Sequence, residues 1–230
     1  MTFYWAETTS TEKTPHPSKL WAEWKSDDKK FKVWKKELKE QWLPKEQQYV
    51  DFEMPKEFIV VAEGWAINGY INSLNCWVRS NEIFSFNKPF VVRKNSWEVW
   101  LSWTWDEIGE KVKNAGGKLV RNIHIATPDS LDLQTLQMWP AGSGAWREWI
   151  KEHTIDPRNH KIKFKGAEEW KKGRIVWSFP TFENWEALSE WDRTLQKAFA
   201  TELANYDAER SASVDESIAE IKKADSELPF

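Results

Sequence analysis

The feature that most constrains the fold is the order of strand and helix signals after residue 57. Phe58-Ile-Val-Val-Ala-Glu-Gly-Trp65 is rich in β-branched residues and predicts a strand, and a second strand is expected over Ile71 to Asn81. The segments Pro89 to Lys94 and Trp97 to Trp103 predict further strand structure on either side of an Asn-Ser turn. The first half of this region is therefore predicted to be β-sheet.

A helix signal follows these strands. Thr104 suits an N-cap and Glu107 stands three residues later, which is the pattern of a capping box. The helix should run to Ala115, because Gly116-Gly117 provides a C-terminal stop. Leu119 to Ala126 and Leu131 to Met138 then predict two more strands. This is the element order of the five-stranded oligonucleotide-binding barrel, so we expect a mainly β fold with flanking helices (α+β) and an OB-like barrel.

Three regions follow from the patterns along the chain. Residues 1–54 form a Trp- and Lys-rich N-terminal segment, expected to be partly helical because apolar residues between 20 and 43 include helical spacings. Residues 55–206 form the OB-like domain, with extra strands and a long C-terminal helix over Trp185 to Tyr206. Residues 207–230 have low apolar content and are expected to be a flexible acidic tail.

Charge is distributed unevenly, although the net charge is only −3. Residues 13–45 hold ten lysines and five acids, whereas residues 181–230 hold 12 acids and five bases. This segregation of charge is typical of proteins that bind a polyanion with one part of the chain and use an acidic tail elsewhere. The alternative is an ordinary surface charge distribution with no binding role.

Several functional classes are disfavoured. The single cysteine, Cys76, rules out an intramolecular disulfide framework, and neither a signal peptide nor a long apolar run is present, so a cytoplasmic protein is expected. The sequence contains no P-loop and no dinucleotide fingerprint. His153, Asp156 and His160 lie close in sequence but do not complete a metal-ligand set. We therefore expect no enzymatic activity, no metal and no cofactor.

The 18 tryptophans point instead to a binding surface. In the predicted second strand, Trp77 and Arg79 alternate with Val78 and Ser80, so the first pair should face outward. Indole faces stack on bases while guanidinium groups neutralise phosphates. Further candidates for nucleic-acid contact, some of which are expected simply to pack in the core, are Arg93, Trp97, Trp100, Trp103, Arg121 and Trp139. Trp34, Lys35 and Lys36 of the N-terminal segment could wrap DNA, contact another subunit or form a solvated helix face.

Two stretches carry a resemblance to known proteins. The last six residues, Asp225-Ser226-Glu227-Leu228-Pro229-Phe230, resemble the acidic tip of bacterial single-stranded DNA-binding proteins. Trp77 to Ile83, Ile108 to Lys118 and Lys172 to Pro180 are similar to phage-encoded proteins regarded as single-stranded DNA binders. The second resemblance implies an OB-like core and a role in phage or plasmid replication and recombination. The first implies that Asp225, Glu227, Leu228, Pro229 and Phe230 recruit partner proteins.

The sequence therefore predicts sequence-independent binding of single-stranded DNA, with replication or recombination proteins as partners and homo-oligomerisation left open. A carbohydrate- or peptide-binding β-domain is the alternative, because aromatic platforms also stack on sugar rings. A nuclease or annealing enzyme would need a metal-binding carboxylate cluster that the sequence does not display.

Overall fold

The structure is a computed structural model that describes residues 15–128 and 130–226. It is mainly β. The part of the chain that the structure describes contains eleven strands: β1 (Leu20–Lys25), β2 (Lys30–Trp34), β3 (Tyr49–Asp51), β4 (Phe58–Ile71), β5 (Cys76–Ser80), β6 (Phe90–Lys94), β7 (Val99–Trp103), β8 (Lys118–Thr127), β9 (Ser130–Met138), β10 (His160–Lys172) and β11 (Ile175–Ala187). The same residues form four α-helices: α1 (Lys36–Glu40), α2 (Trp105–Asn114), α3 (Pro140–His153) and α4 (Glu190–Ser226).

The chain forms two compact units, each assembled from separate stretches. The larger unit comprises Ser18–Trp65 and Leu119–Thr201. The smaller unit comprises the described residues of Met1–Pro17, Ala66–Lys118 and Glu202–Phe230. Strand β4 therefore contributes its first part to the larger unit and its last part to the smaller one.

The larger unit contains a mixed sheet in the order β3-β2-β1-β9-β8-β4. Strand β1 pairs in parallel with β9 and antiparallel with β2. Strand β10 pairs with β11 along a long antiparallel hairpin and joins the start of β4 through Lys161 and Ile162. Aromatic side chains fill the core: Trp146 is fully buried and its ring meets Phe182 edge to face at 4.8 Å. Some of the tryptophans are thus packing residues, as the sequence suggested.

The smaller unit contains the end of β4 followed by β5, β6 and β7, all antiparallel. Helix α2 is bounded as predicted, because the Thr104 backbone N–H donates to the Glu107 carboxylate at 3.0 Å and the helix ends at Asn114. Gly117 permits a close approach to α2, since a Cβ at this position would lie 2.6 Å from Val112 Cγ1.

The predicted mainly β class with flanking helices is confirmed, but the barrel is not. Within each unit the strand order is an open path among the described residues, and the sheet is not closed. A five-stranded barrel requires a closing pairing between its first and last strands, which these paths do not contain.

Helices predicted within residues 20–43 are largely wrong. This stretch forms β1 and β2, and only α1 is helical. Ala22 and Trp24 are buried on alternate positions of β1, which is the period of a strand, and β9 supplies the pairing partner. The helical spacings between residues 20 and 43 were therefore coincidental.

The predicted end of the last helix at Tyr206 is also wrong, because α4 continues to Ser226. Residues 207–226 contain four alanines and several Glu and Lys residues, with neither Gly nor Pro. These are strong helix formers, so helix propensity continues where apolar content falls. Residues 207–226 therefore lie within α4. The flexibility of the acidic tail stays a prediction.

Candidate functional site

Side chains from three neighbouring strands share one face of the smaller unit's sheet. Asn68 of β4 lies opposite Arg79 of β5, and Arg79 lies opposite Arg93 of β6. Tyr70 of β4 lies opposite Trp77 of β5. Residues directly opposite in an antiparallel pair project from the same face, so these five residues form one surface, called here the aromatic-basic face.

Burial along β5 confirms the predicted facing of this strand. Val78 is fully buried and Ser80 is 6% exposed, whereas Trp77 and Arg79 are half-buried. The Ser80 hydroxyl is anchored on the buried face, where it accepts a hydrogen bond from the Ile67 backbone N–H at 2.8 Å. The strand is thus fixed with its aromatic and cationic side chains on the opposite side.

The two aromatic rings of this face are held by polar contacts at their edges. The Trp77 indole N–H donates to Asn68 Oδ1 at 2.6 Å, and the Tyr70 hydroxyl bonds to Asn75 Oδ1 at 2.5 Å. The ring centroids are 6.5 Å apart with an interplanar angle of 53°. Tyr70 is 43% exposed. The polar atoms at the edges of both rings are therefore occupied within the protein.

Two arginines stand beside this aromatic pair. Arg79 and Arg93 are directly opposite each other on β5 and β6. Like charges directly opposite each other disfavour strand pairing.

Trp97 borders Arg93 in the turn between β6 and β7. Arg93 Nη1 donates to the Trp97 carbonyl at 3.1 Å, and the Trp97 N–H donates to the Lys94 carbonyl at 2.9 Å. Trp97 has a φ of 67° and is 57% exposed. It therefore projects from a turn, whereas the sequence predicted strand structure from Trp97 onward.

Trp100 and Trp103 lie elsewhere on this sheet. Trp103 pairs with the buried Phe90, so it belongs to the opposite face, where its side chain is 50% exposed. Val92 pairs with Leu101 and Arg93 pairs with Val99, so Trp100 is the extra residue at an irregularity in β7. Its side chain is half-buried. Neither side chain is part of the aromatic-basic face.

Arg121 and Trp139 belong to the larger unit and are tied to its carboxylates. Arg121 Nη1 lies 2.6 Å from Glu63 Oε2, and the Arg121 side chain is 13% exposed. Burial lowers the pKa of the Arg121 guanidinium, and the Glu63 carboxylate opposes that shift. The Trp139 indole N–H donates to Glu23 Oε1 at 2.6 Å. The geometry gives Arg121 a structural role.

The N-terminal candidates also lie in the larger unit. The Trp34 indole N–H donates to Gln48 Oε1 at 3.1 Å, Lys35 is exposed, and Lys36 lies 3.8 Å from Glu40.

Neighbouring lysines are paired with acids. Lys30 binds Asp51 at 2.5 Å, and the hydrogen bond that Lys32 donates to the Asp28 carboxylate raises the pKa of Lys32. Much of the positive charge counted in this segment is therefore offset locally.

Asp225 lies within α4, and Glu227, Leu228, Pro229 and Phe230 fall outside the described residues. Sequence reasoning did not find Asn68 and Tyr70, because their position depends on the pairing register of β4 with β5. The alternation of Asn68 and Tyr70 with the apolar Ile67 and Ile71 was the signal that could have suggested them.

The fold and this surface define a mainly β protein with an aromatic and cationic sheet face. Comparison of the chain with protein-family models, with curated proteins and with solved structures finds no match. Among the described residues, no helix has the length and apolar character needed to cross a membrane.

Proposed function

We propose that this chain is a non-enzymatic, largely sequence-independent single-stranded DNA-binding protein that acts in phage or plasmid replication and recombination. The observation that carries the proposal is the placement of the Tyr70 and Trp77 pair beside the Arg79 and Arg93 pair on one sheet face. Stacking planes and phosphate-binding groups stand next to each other there.

The spacing of this face suits a nucleotide chain. Trp77 and Arg79 are alternate residues of β5, which places their Cα atoms roughly 6.6 Å apart. A base stacked on the indole would leave its phosphate within reach of a long guanidinium side chain. Aromatic stacking accepts every base, and arginine bound to phosphate reads no sequence, so the arrangement favours sequence-tolerant binding.

Other parts of the proposal rest on the sequence. The Trp34, Lys35 and Lys36 segment would add contacts to DNA, and Asp225, Glu227, Leu228, Pro229 and Phe230 would recruit replication or recombination proteins. An OB-like core remains part of the proposal, but binding through the aromatic-basic face does not require a closed barrel.

The test is a fluorescence anisotropy titration with single-stranded DNA, single-stranded RNA and blunt duplex DNA of equal length. We expect single-stranded DNA to bind more tightly than duplex, because a duplex hides the base faces. Equal affinity for the duplex would contradict the proposal.

Salt dependence separates DNA binding from carbohydrate or peptide binding. For a single strand, the logarithm of the association constant falls with the logarithm of salt concentration with a slope of about −0.7 for each phosphate neutralised. A salt-independent affinity, or tighter binding of a neutral oligosaccharide, would favour the carbohydrate-binding alternative.

A further inference from the structure

The β10–β11 hairpin of the larger unit ends in an exposed cationic tip. Lys171, Lys172 and Arg174 flank the turn at Gly173, and all three side chains are exposed. Within the described residues none of them forms an ion pair.

The acids beside the tip do not cancel these charges. Glu169 is bound by Lys29 at 2.7 Å, which leaves Glu168 as the remaining acid of this end of the hairpin. Three cations therefore stand against one unpaired carboxylate, and the tip has a net positive charge.

One face of the hairpin end combines this charge with aromatic rings. Trp170 pairs with Trp177, and Lys172 pairs with Ile175, so these four side chains share a face. The two indoles meet edge to face with centroids 5.2 Å apart. Trp170 is 57% and Ile175 is 67% exposed.

The opposite face packs against the unit at Ser178, and nearer the turn it is exposed, since Val176 is 51% exposed. Ser178, the residue after Trp177, is 2% exposed, and its backbone N–H donates to Ser26 Oγ at 2.6 Å. The face with the two indoles is directed to solvent at Trp170 and Ile175, whereas Lys171 lies on the other face beside the exposed Val176. We call the exposed surface of Trp170, Lys171, Lys172, Arg174 and Trp177 the hairpin tip.

We propose that the hairpin tip is a second binding site for a single strand of nucleic acid, beyond the aromatic-basic face of the smaller unit. Charge complementarity selects this occupant, because three uncompensated cations beside exposed indoles match a chain of phosphates with accessible base faces. The site consists of residues of the larger unit only, so it does not depend on the assignment of the aromatic-basic face.

The first test removes the charge. In the triple variant Lys171→Gln, Lys172→Gln, Arg174→Gln, we expect the salt slope of single-strand binding to become shallower by about 2. The matched control is Lys151→Gln, Arg193→Gln, Lys197→Gln, which removes three exposed cations from helices of the same unit and should leave the slope unchanged. Thermal denaturation should show the same Tm for the two triple variants and the unmodified protein.

The second test addresses stacking and location. Trp170→Ala should weaken single-strand binding by about 5- to 140-fold, the range for loss of one base stack. Ultraviolet crosslinking of a 5-bromouracil oligonucleotide to the full chain, followed by trypsin digestion, should label the peptides that contain Trp170 or Trp177.

The results distinguish this proposal from the function proposed above. If the triple variant and Trp170→Ala bind as tightly as the unmodified protein while Trp77→Ala binds more weakly, the hairpin proposal is wrong and the aromatic-basic face stands. If instead the tip variants bind more weakly while Trp77→Ala binds as tightly as the unmodified protein, binding at the aromatic-basic face is contradicted and the hairpin proposal is supported. If the unmodified protein binds no single strand, both proposals fail. If the tip variants change only the oligomeric state in light scattering, the tip is an interface between copies of the chain and the proposal is overturned.

Discussion

Arg79 lies directly opposite Arg93 across the antiparallel β5–β6 pair, so two guanidinium side chains share one sheet face. Directly opposite like charges destabilise a sheet by a few tenths of a kcal/mol up to about 1 kcal/mol. An anion held by both groups would offset this repulsion. We expect replacement of either arginine to change both the stability of the smaller unit and the affinity of the proposed site for DNA.

Replacing Arg93 should separate its effect on the stability of the fold from its effect on DNA binding. Arg93→Gln keeps a donor for the Trp97 carbonyl but removes the charge. We expect an unfolding free energy equal to or higher than that of the unmodified protein by up to about 1 kcal/mol, together with weaker binding of single-stranded DNA and a salt slope shallower by about 0.7. Urea denaturation and anisotropy titration measure the two quantities. A loss of stability without a loss of affinity would show that Arg93 serves the fold.

Trp77→Ala should reduce the binding free energy for single-stranded DNA by about 1–3 kcal/mol, because one stacking plane is lost. Trp77→Phe keeps an aromatic plane and should retain most of the affinity. Trp191→Ala is the matched control, since Trp191 is an exposed indole of α4 outside both proposed sites, at 60% exposure. Equal affinities of Trp77→Ala and Trp191→Ala would remove Trp77 from the interface.

Gly117→Ala should destabilise the smaller unit. A Cβ at this position would lie 2.6 Å from Val112 Cγ1 and 3.1 Å from the Val112 carbonyl oxygen. Overpacking of this kind typically costs about 1–3 kcal/mol. The control is Gly144→Ala in α3, where nothing lies within 4 Å of the added Cβ and alanine should favour the helix by up to about 1 kcal/mol. Chemical denaturation curves of the two variants should therefore shift in opposite directions.

Asp192 makes stability depend on pH at the start of α4. This carboxylate is 2% exposed and accepts hydrogen bonds from the Ser189 backbone N–H and hydroxyl at 2.9 and 2.7 Å. Burial raises the pKa of Asp192, but the Ser189 hydrogen bonds and the charge of Lys161 outweigh it, so the pKa lies below its ordinary value.

A folded-state pKa below the unfolded value stabilises the fold above about pH 4, and the contribution is lost as pH falls through the folded pKa. Asp192→Asn should therefore be less stable than the unmodified protein at pH 7, and the difference should shrink below pH 4. Urea denaturation between pH 3 and pH 7 measures this. Asp27→Asn, at an exposed position between β1 and β2, is the control. A constant difference between Asp192→Asn and the unmodified protein at every pH would contradict the prediction.

The sequence alone predicted those features of the fold that depend on interactions between residues a few positions apart. The Thr104 and Glu107 capping box and the glycines after Ala115 bounded α2, because caps act on the adjacent helix turn. Alternation along β5 placed Trp77 and Arg79 on the face opposite Val78 and Ser80, because the strand period is local.

Tertiary structure decided everything that depends on a distant partner. β1 is a strand because β9, more than a hundred residues later, pairs with it, and no spacing within residues 20–43 could show this. The register of β4 with β5 places Tyr70 opposite Trp77, and the Glu63 carboxylate makes Arg121 part of the larger unit's interior. Strand pairing and burial bring together residues that are far apart in sequence. The sequence therefore shows which residue types are present, but their neighbours depend on the pairing register of the folded sheet.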